Sequence, residues 1–115
     1  MLYIFESELS QNQSILFALV SIFGIGKSHA NLFCKKLGFS SNLKVKDLSK
    51  EQITKLIKLL EASNKIIGND LKKLRLLKTK KLLSIKSYKG LRRKYGLPLR
   101  GQRTHTNAKT SRKIK

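Results

Sequence analysis

The stretch Ile15-Leu16-Phe17-Ala18-Leu19-Val20-Ser21-Ile22-Phe23-Gly24-Ile25-Gly26-Lys27-Ser28 decides how the chain folds. Its first part is apolar on nearly every side, which marks a helix set centrally in a small core. Ser10 or Asn12 is placed to cap that helix, which then runs to about Ser21. Gly24-Ile25-Gly26 ends it. Ser28 is placed to cap a second helix that reaches Leu37 and stops at Gly38. Ala30, Phe33, Cys34 and Leu37 recur at i, i+3, i+4 and i+7 and form one apolar face, on which Cys34 is packing rather than a reactive thiol.

Outward from this hairpin, Phe39 to Leu48 reads as a connector. Ser49-Lys50-Glu51-Gln52 fits a capping box, in which the Ser hydroxyl and the Gln side chain each satisfy a free backbone N–H. It opens a third helix to about Ala62, with Ile53, Leu56, Ile57 and Leu60 on one face. Asp47 and Glu51 lie near its positive end, where a carboxylate contributes about 0.3–1 kcal/mol. Asn69 or Asp70 begins a fourth helix through about Lys86, with a rougher stripe of Leu71, Leu74, Leu77, Leu82 and Ile85. No segment alternates convincingly as a strand. The expected class is all-α: a small helical domain with a helix-hairpin-helix-like turn, a further long helix, and an extended basic C-terminal tail. The expected organisation is a helical N-terminal domain over 1–70, a basic helix and binding segment over 71–96, and the tail over 97–115.

Charge is the next constraint. The chain has 115 residues, with 26 Lys and Arg against six Asp and Glu, a formal charge of +20. All six acids lie at or before Asp70, and residues 71–115 carry eleven Lys, six Arg and no acid. Such a segment repels itself and gains from a polyanion, nucleic acid above all, because each neutralised phosphate releases counterions. After Ser87 the apolar period vanishes and Gly90, Gly96, Pro98 and Gly101 punctuate the chain, so irregular structure is expected there. From Leu97 onward little can bury a core, so this segment is expected to order on its partner.

Other chemistries fit poorly. Cys34 is the only cysteine, and with His29 and His105 it makes no plausible zinc site. No His pairs with a nucleophile, and the basic half has no carboxylate for general-base work, so no enzyme, cofactor or metal is expected. The apolar run from Ile15 is far short of the ~20 residues that span a bilayer, so no membrane partner is expected. Gly26-Lys27-Ser28 ends like a P-loop, but Ser21 stands where that loop needs its first Gly. A helix-hairpin-helix fits better. Its glycine turn aims free N–H groups at one phosphate, with Gly26 permitting close approach and Lys27 adding charge. If Gly26 also had positive φ, an Ala there would cost stability as well as binding.

The second constellation runs from Tyr88 to Thr104, Tyr88-Lys89-Gly90-Leu91-Arg92-Arg93-Lys94-Tyr95-Gly96-Leu97-Pro98-Leu99-Arg100-Gly101-Gln102-Arg103-Thr104. It interleaves cations with aromatics and glycines. Arg forks bind phosphates and stack on bases, Tyr stacks on unpaired bases, and the glycines let backbone pass close to RNA. Gln102, Thr104 and Asn107 reach phosphates, ribose hydroxyls or base edges. The candidate RNA-binding residues are Gly24, Gly26, Lys27, Tyr88, Lys89, Arg92, Arg93, Lys94, Arg100, Gln102, Arg103, Thr104, Asn107, Lys109 and Arg112.

Two segments carry a family resemblance, Ser21 to Lys27 and the block from Tyr88 to Asn107, and the run Gly96-Leu97-Pro98-Leu99-Arg100-Gly101-Gln102-Arg103-Thr104 followed by Thr106-Asn107-Ala108 is the most specific part. Together they make the chain resemble small-subunit ribosomal protein thirteen over nearly its whole length. Its start at Met1-Leu2-Tyr3-Ile4 and the run Pro98 to Asn107 look most like the versions encoded in mitochondrial genomes. The resemblance implies a structural role in the head of the small subunit, bound to small-subunit rRNA. It implies contact with small-subunit ribosomal protein nineteen, a bridge to large-subunit ribosomal protein five or its equivalent, and a tail toward peptidyl-site tRNA. Lys89 stands where the family usually has Arg, giving up a forked contact. The expected location is the mitochondrial ribosome, with the protein made in the organelle. Glu6 and Glu8 do not suit a transit peptide, and the abundance of Leu, Lys and Ile fits an AT-rich genome. The alternatives are a helix-hairpin-helix DNA-binding module, which leaves the tail unexplained, and a membrane-active cationic protein, which lacks a wide apolar face.

Overall fold

A computed structural model of the chain describes residues 2–113; residue 1 and the last two residues of the expected tail lie outside the described residues. The element order is β1 (Leu2–Ile4), β2 (Ser7–Leu9), α1 (Ile15–Val20), α2 (Lys27–Leu37), a 3₁₀ turn at Val45–Asp47, α3 (Lys50–Ala62), α4 (Gly68–Ser84), α5 (Tyr88–Lys94) and α6 (Lys109–Lys113). The class is all-α apart from one short hairpin. The chain forms two compact units, Met1–Lys72 and Lys73–Lys115.

In the first unit, Leu9, Ile15, Leu19, Ile22, Leu56 and Leu60 are the largest fully buried side chains. Ala30, Phe33 and Cys34 pack into the same cluster, and Leu37 lies partly buried against it, so the apolar face read for α2 is the face it buries. No charged side chain is buried among the described residues. The capping box of α3 is complete: the Gln52 N–H donates to Ser49 Oγ at 3.3 Å, and the Ser49 N–H donates to Gln52 Oε1 at 2.9 Å. Gly38 closes α2 in the left-handed region at φ 69°.

Four expectations need correction. First, the chain opens with an antiparallel hairpin, Leu2 opposite Leu9 and Ile4 opposite Ser7. Its strands are three residues each, too short for alternation to be read, and its turn is Phe5-Glu6, both at positive φ (49° and 59°). Turns of that hand usually carry Asn-Gly or Asp-Gly. Here Phe5 packs partly buried on the core and the Glu6 carboxylate accepts from Asn69 Nδ2, which offsets the strain.

Second, α1 starts at Ile15 with Ser14 as N-cap, not at Ser10 or Asn12. The backbone before it is committed to the connector: the Ile15 N–H donates to the Leu43 carbonyl (2.8 Å), and the Val45 N–H donates to that of Gln13 (3.1 Å). Third, α2 begins at Lys27, with Gly26 rather than Ser28 as N-cap. Fourth, the segment after Ser87 is not irregular throughout. The Ser87 hydroxyl accepts from the Gly90 N–H at 3.2 Å and caps α5, and α6 forms within the tail, preceded by the buried Ala108.

Because Leu56 is sealed in the core while Phe17 on α1 is 58% exposed, Leu56→Ala should cost about 2–5 kcal/mol and Phe17→Ala less than about 1 kcal/mol. Chemical denaturation of the two variants checks this; equal losses would contradict the placement of α1.

Candidate nucleic-acid interface

The glycine turn is built from both sides. Ile22 and Ile25 are buried and pin it to the core, and the Ile25 N–H closes it by donating to the Ile22 carbonyl at 3.1 Å. Gly24 is the residue that needs to be glycine. Its φ is +100°, and a Cβ there would lie 2.9 Å from Leu71 Cδ2 and 3.4 Å from Ile67 Cα. Gly26 is different. It is extended (φ −97°, ψ 174°), and a Cβ there would meet nothing within 4 Å. A positive φ at Gly26 is therefore wrong, and with it the stability loss expected for its Ala variant.

This arrangement leaves the start of α2 open. Its N-cap has no side chain to bond the first-turn N–H groups, and no acid lies in that turn. Gly26 and Lys27 are both exposed, so free donors, a cation and an unobstructed approach coincide there.

In the second unit, α4 and α5 cross at Gly90, where a Cβ would fall 2.5 Å from the Leu82 carbonyl oxygen. Gly96 similarly lies against the backbone of Ser111 and Arg112. These two glycines let the chain approach itself rather than RNA; Gly101 alone of the three faces open space. The neighbouring arginines are braced differently. Arg92 is half-buried and its Nε donates to the Pro98 carbonyl at 3.0 Å, with its guanidinium 5.9 Å from the Tyr88 ring centre. Arg93 Nη1 donates to Thr79 Oγ1 at 3.1 Å. Thr79 was not among the candidate residues, because its position on α4 gives no sign that it faces Arg93.

Tyr88, Lys89, Arg93, Lys94, Arg100, Gln102, Arg103, Thr104, Asn107, Lys109 and Arg112 are all exposed in this unit. The structure thus divides the candidates: Gly24, Gly26 and Lys27 belong to the first unit and the remainder to the second. Cys34 is buried, which raises its thiol pKa, in keeping with packing. Among the described residues no group of three His, Cys, Asp or Glu is arranged to hold a metal ion, and no helix is long and apolar enough to cross a membrane.

Comparison with known proteins gives these surfaces a context. The sequence pattern of the family described as ribosomal protein S13/S18 matches residues 3–110. Small ribosomal subunit protein uS13m of Marchantia polymorpha is 44% identical over 115 residues, covering 100% of this chain and 95% of that protein. The uS13m of Schizosaccharomyces pombe is 40% identical over 99% of this chain and 74% of its own length. The bacterial uS13 of Borrelia duttonii is 44% identical over 90% of this chain and 82% of its own. The chain is therefore a structural protein of the small ribosomal subunit and not an enzyme. It belongs to the ribosomal protein S13/S18 family, in its mitochondrial type, and its place is the mitochondrial ribosome.

The two turn glycines should separate in a stability measurement. Gly24→Ala should lower stability by at least about 1 kcal/mol, from the left-handed backbone and the clash with Leu71, whereas Gly26→Ala should leave the melting temperature nearly unchanged. The reverse order would contradict the turn described.

Proposed function

We propose that this protein folds and pins rRNA of the small-subunit head through two surfaces. At the first, the open N–H groups at the start of α2, together with Lys27, hold one phosphate, and Gly24 and Gly26 shape the approach. At the second, Arg92, Arg93, Arg100 and Arg103 thread between RNA helices, with Lys89, Lys94, Lys109 and Arg112 adding charge, while Tyr88 stacks on an unpaired base and Gln102, Thr104 and Asn107 reach phosphates, riboses or base edges. One observation carries the reading: after Asp70 the chain has no acid, and its cationic and donor side chains from Lys89 to Arg112 are nearly all solvent-facing.

In this reading the first three helices supply the protein contacts, to small-subunit ribosomal protein nineteen and across a bridge to large-subunit ribosomal protein five. The exposed Phe17 and Leu32 on α1 and α2 are apolar surface suited to them. The tail extends toward peptidyl-site tRNA. The domain roles follow the same division, with residues 1–70 for protein contacts and the α2 turn, 71–96 for RNA, and 97–115 as the tail. The Leu, Ile and Lys bias supports synthesis within the organelle.

The test is RNA affinity against salt, with a transcript of the small-subunit head. Lys27→Ala should weaken binding without moving the melting temperature. The Arg100→Ala/Arg103→Ala pair should lower the salt slope by about 0.7–0.9 per lost phosphate contact. Wild-type affinity for Lys27→Ala would remove the α2 site, and an unchanged slope for the arginine pair would remove the tail site. Tighter binding to duplex DNA than to rRNA would favour a DNA-binding module instead.

A further inference from the structure

We propose that Tyr88, Leu91 and Tyr95 form a stacking strip for unpaired nucleobases of RNA. The strip rests on the RNA-binding reading above and extends the single stacking contact of Tyr88 along α5. Leu91 and Tyr95 lie outside that set of contacts. The three residues follow one another at i, i+3 and i+7 along α5 and its C-cap, so they share one face. That face is uncovered: Tyr88 is 70% exposed, Leu91 40% and Tyr95 63%. Two aromatic rings and a leucine held in water on one short helix are surface awaiting a partner.

Charge identifies the partner. The last turn of α5 carries Arg92, Arg93 and Lys94, and its first turn carries Lys89, with no acid anywhere after Asp70. An apolar protein segment would meet this rim of like charge unless it brought its own acids. A nucleobase brings a phosphate with it. One ring is already prepared: the Arg92 guanidinium, held by the Pro98 carbonyl, lies over Tyr88, and most of that side chain remains exposed.

Spacing narrows the ligand further. Seven helical residues separate the two tyrosines by about 10.5 Å along the axis, roughly three nucleotide steps of about 3.4 Å. Adjacent stacked bases therefore cannot occupy both rings. Two bases splayed from a single strand, with intervening nucleotides passing Leu91, can. A duplex keeps its base faces inside the stack, so the strip selects loops, bulges or ends over helices.

The experiment uses the full chain and two probes of equal length, a short single-stranded oligoadenylate and the corresponding abasic ribose-phosphate oligomer. Wild type should prefer the oligoadenylate. Tyr88→Ala and Tyr95→Ala should each reduce that preference by about tenfold, with abasic affinity, salt slope and helicity unchanged, and Tyr95→Phe should retain it. Arg100→Ala/Arg103→Ala should weaken both probes equally, which reports the phosphate contacts separately. Equal wild-type affinity for the two probes, or a preference that survives both Ala substitutions, overturns the strip while leaving the phosphate contacts standing. Failure to bind either oligomer or head rRNA overturns the RNA reading itself. Tyrosine variants that keep full RNA preference but no longer enter small subunits would show a protein-docking face and overturn the proposal.

Discussion

The packing of the Gly24 turn against the start of α4 is the constraint on which the first unit depends. Leu71 and Ile67 sit where a Gly24 side chain would be, and the Gly68 N–H donates to the Phe23 carbonyl at 2.7 Å. Gly68, itself at φ +64°, leaves room for the Phe5 carbonyl oxygen at the tip of the β-hairpin. Three tight turns therefore meet at one place, and two of them use glycine because a Cβ has nowhere to go. The polar link from Glu6 to Asn69 secures the same junction from its exposed side. With the turn fixed there, α1 and α2 can close over Leu56 and Leu60, and the first N–H groups of α2 are left facing outward.

The second unit relies on a related device. α4 and α5 approach at Gly90 closely enough that the Leu82 carbonyl occupies the space of a side chain, and the Ser87 hydroxyl both caps α5 and donates to that same carbonyl at 3.0 Å. Here the apolar core is thin and the surface strongly cationic, so close backbone packing and a few directed hydrogen bonds replace buried area. Arg92 and Arg93 each give one donor to the protein. Their remaining donors stay available to a ligand, and the bracing reduces the entropy lost when a phosphate is bound.

Local chemistry in the sequence predicted much of this. The capping box at Ser49 and Gln52, the stop at Gly38 and the buried face of α2 all rest on interactions within a turn or two, so the sequence carries them directly. The β-hairpin was hidden because Phe5-Glu6 is an unfavoured turn, and the distant Asn69 and the core that help to hold it are not visible in the local sequence. The start of α1 was misplaced because pairing with Leu43 and Val45 overrides the caps at Ser10 and Asn12. Helix α5 was hidden by Gly90, which reads locally as a break and serves in three dimensions as a crossing point. The same error concealed the shared face of Tyr88, Leu91 and Tyr95. The candidate binding residues were legible through charge and family resemblance, but the separate parts of Gly24 and Gly26 required φ angles and neighbours.

In the proposed function, RNA contacts gather at the start of α2 and along α5 and the tail, and avoid the α3 surface. Ultraviolet cross-linking of intact mitochondrial small subunits, read by mass spectrometry of RNA-linked peptides, tests it most directly. Cross-links are expected in the peptide containing Lys27 and in those spanning Tyr88 to Asn107. Cross-links concentrated on Lys50–Ala62, with none from Tyr88 to Asn107, would contradict it.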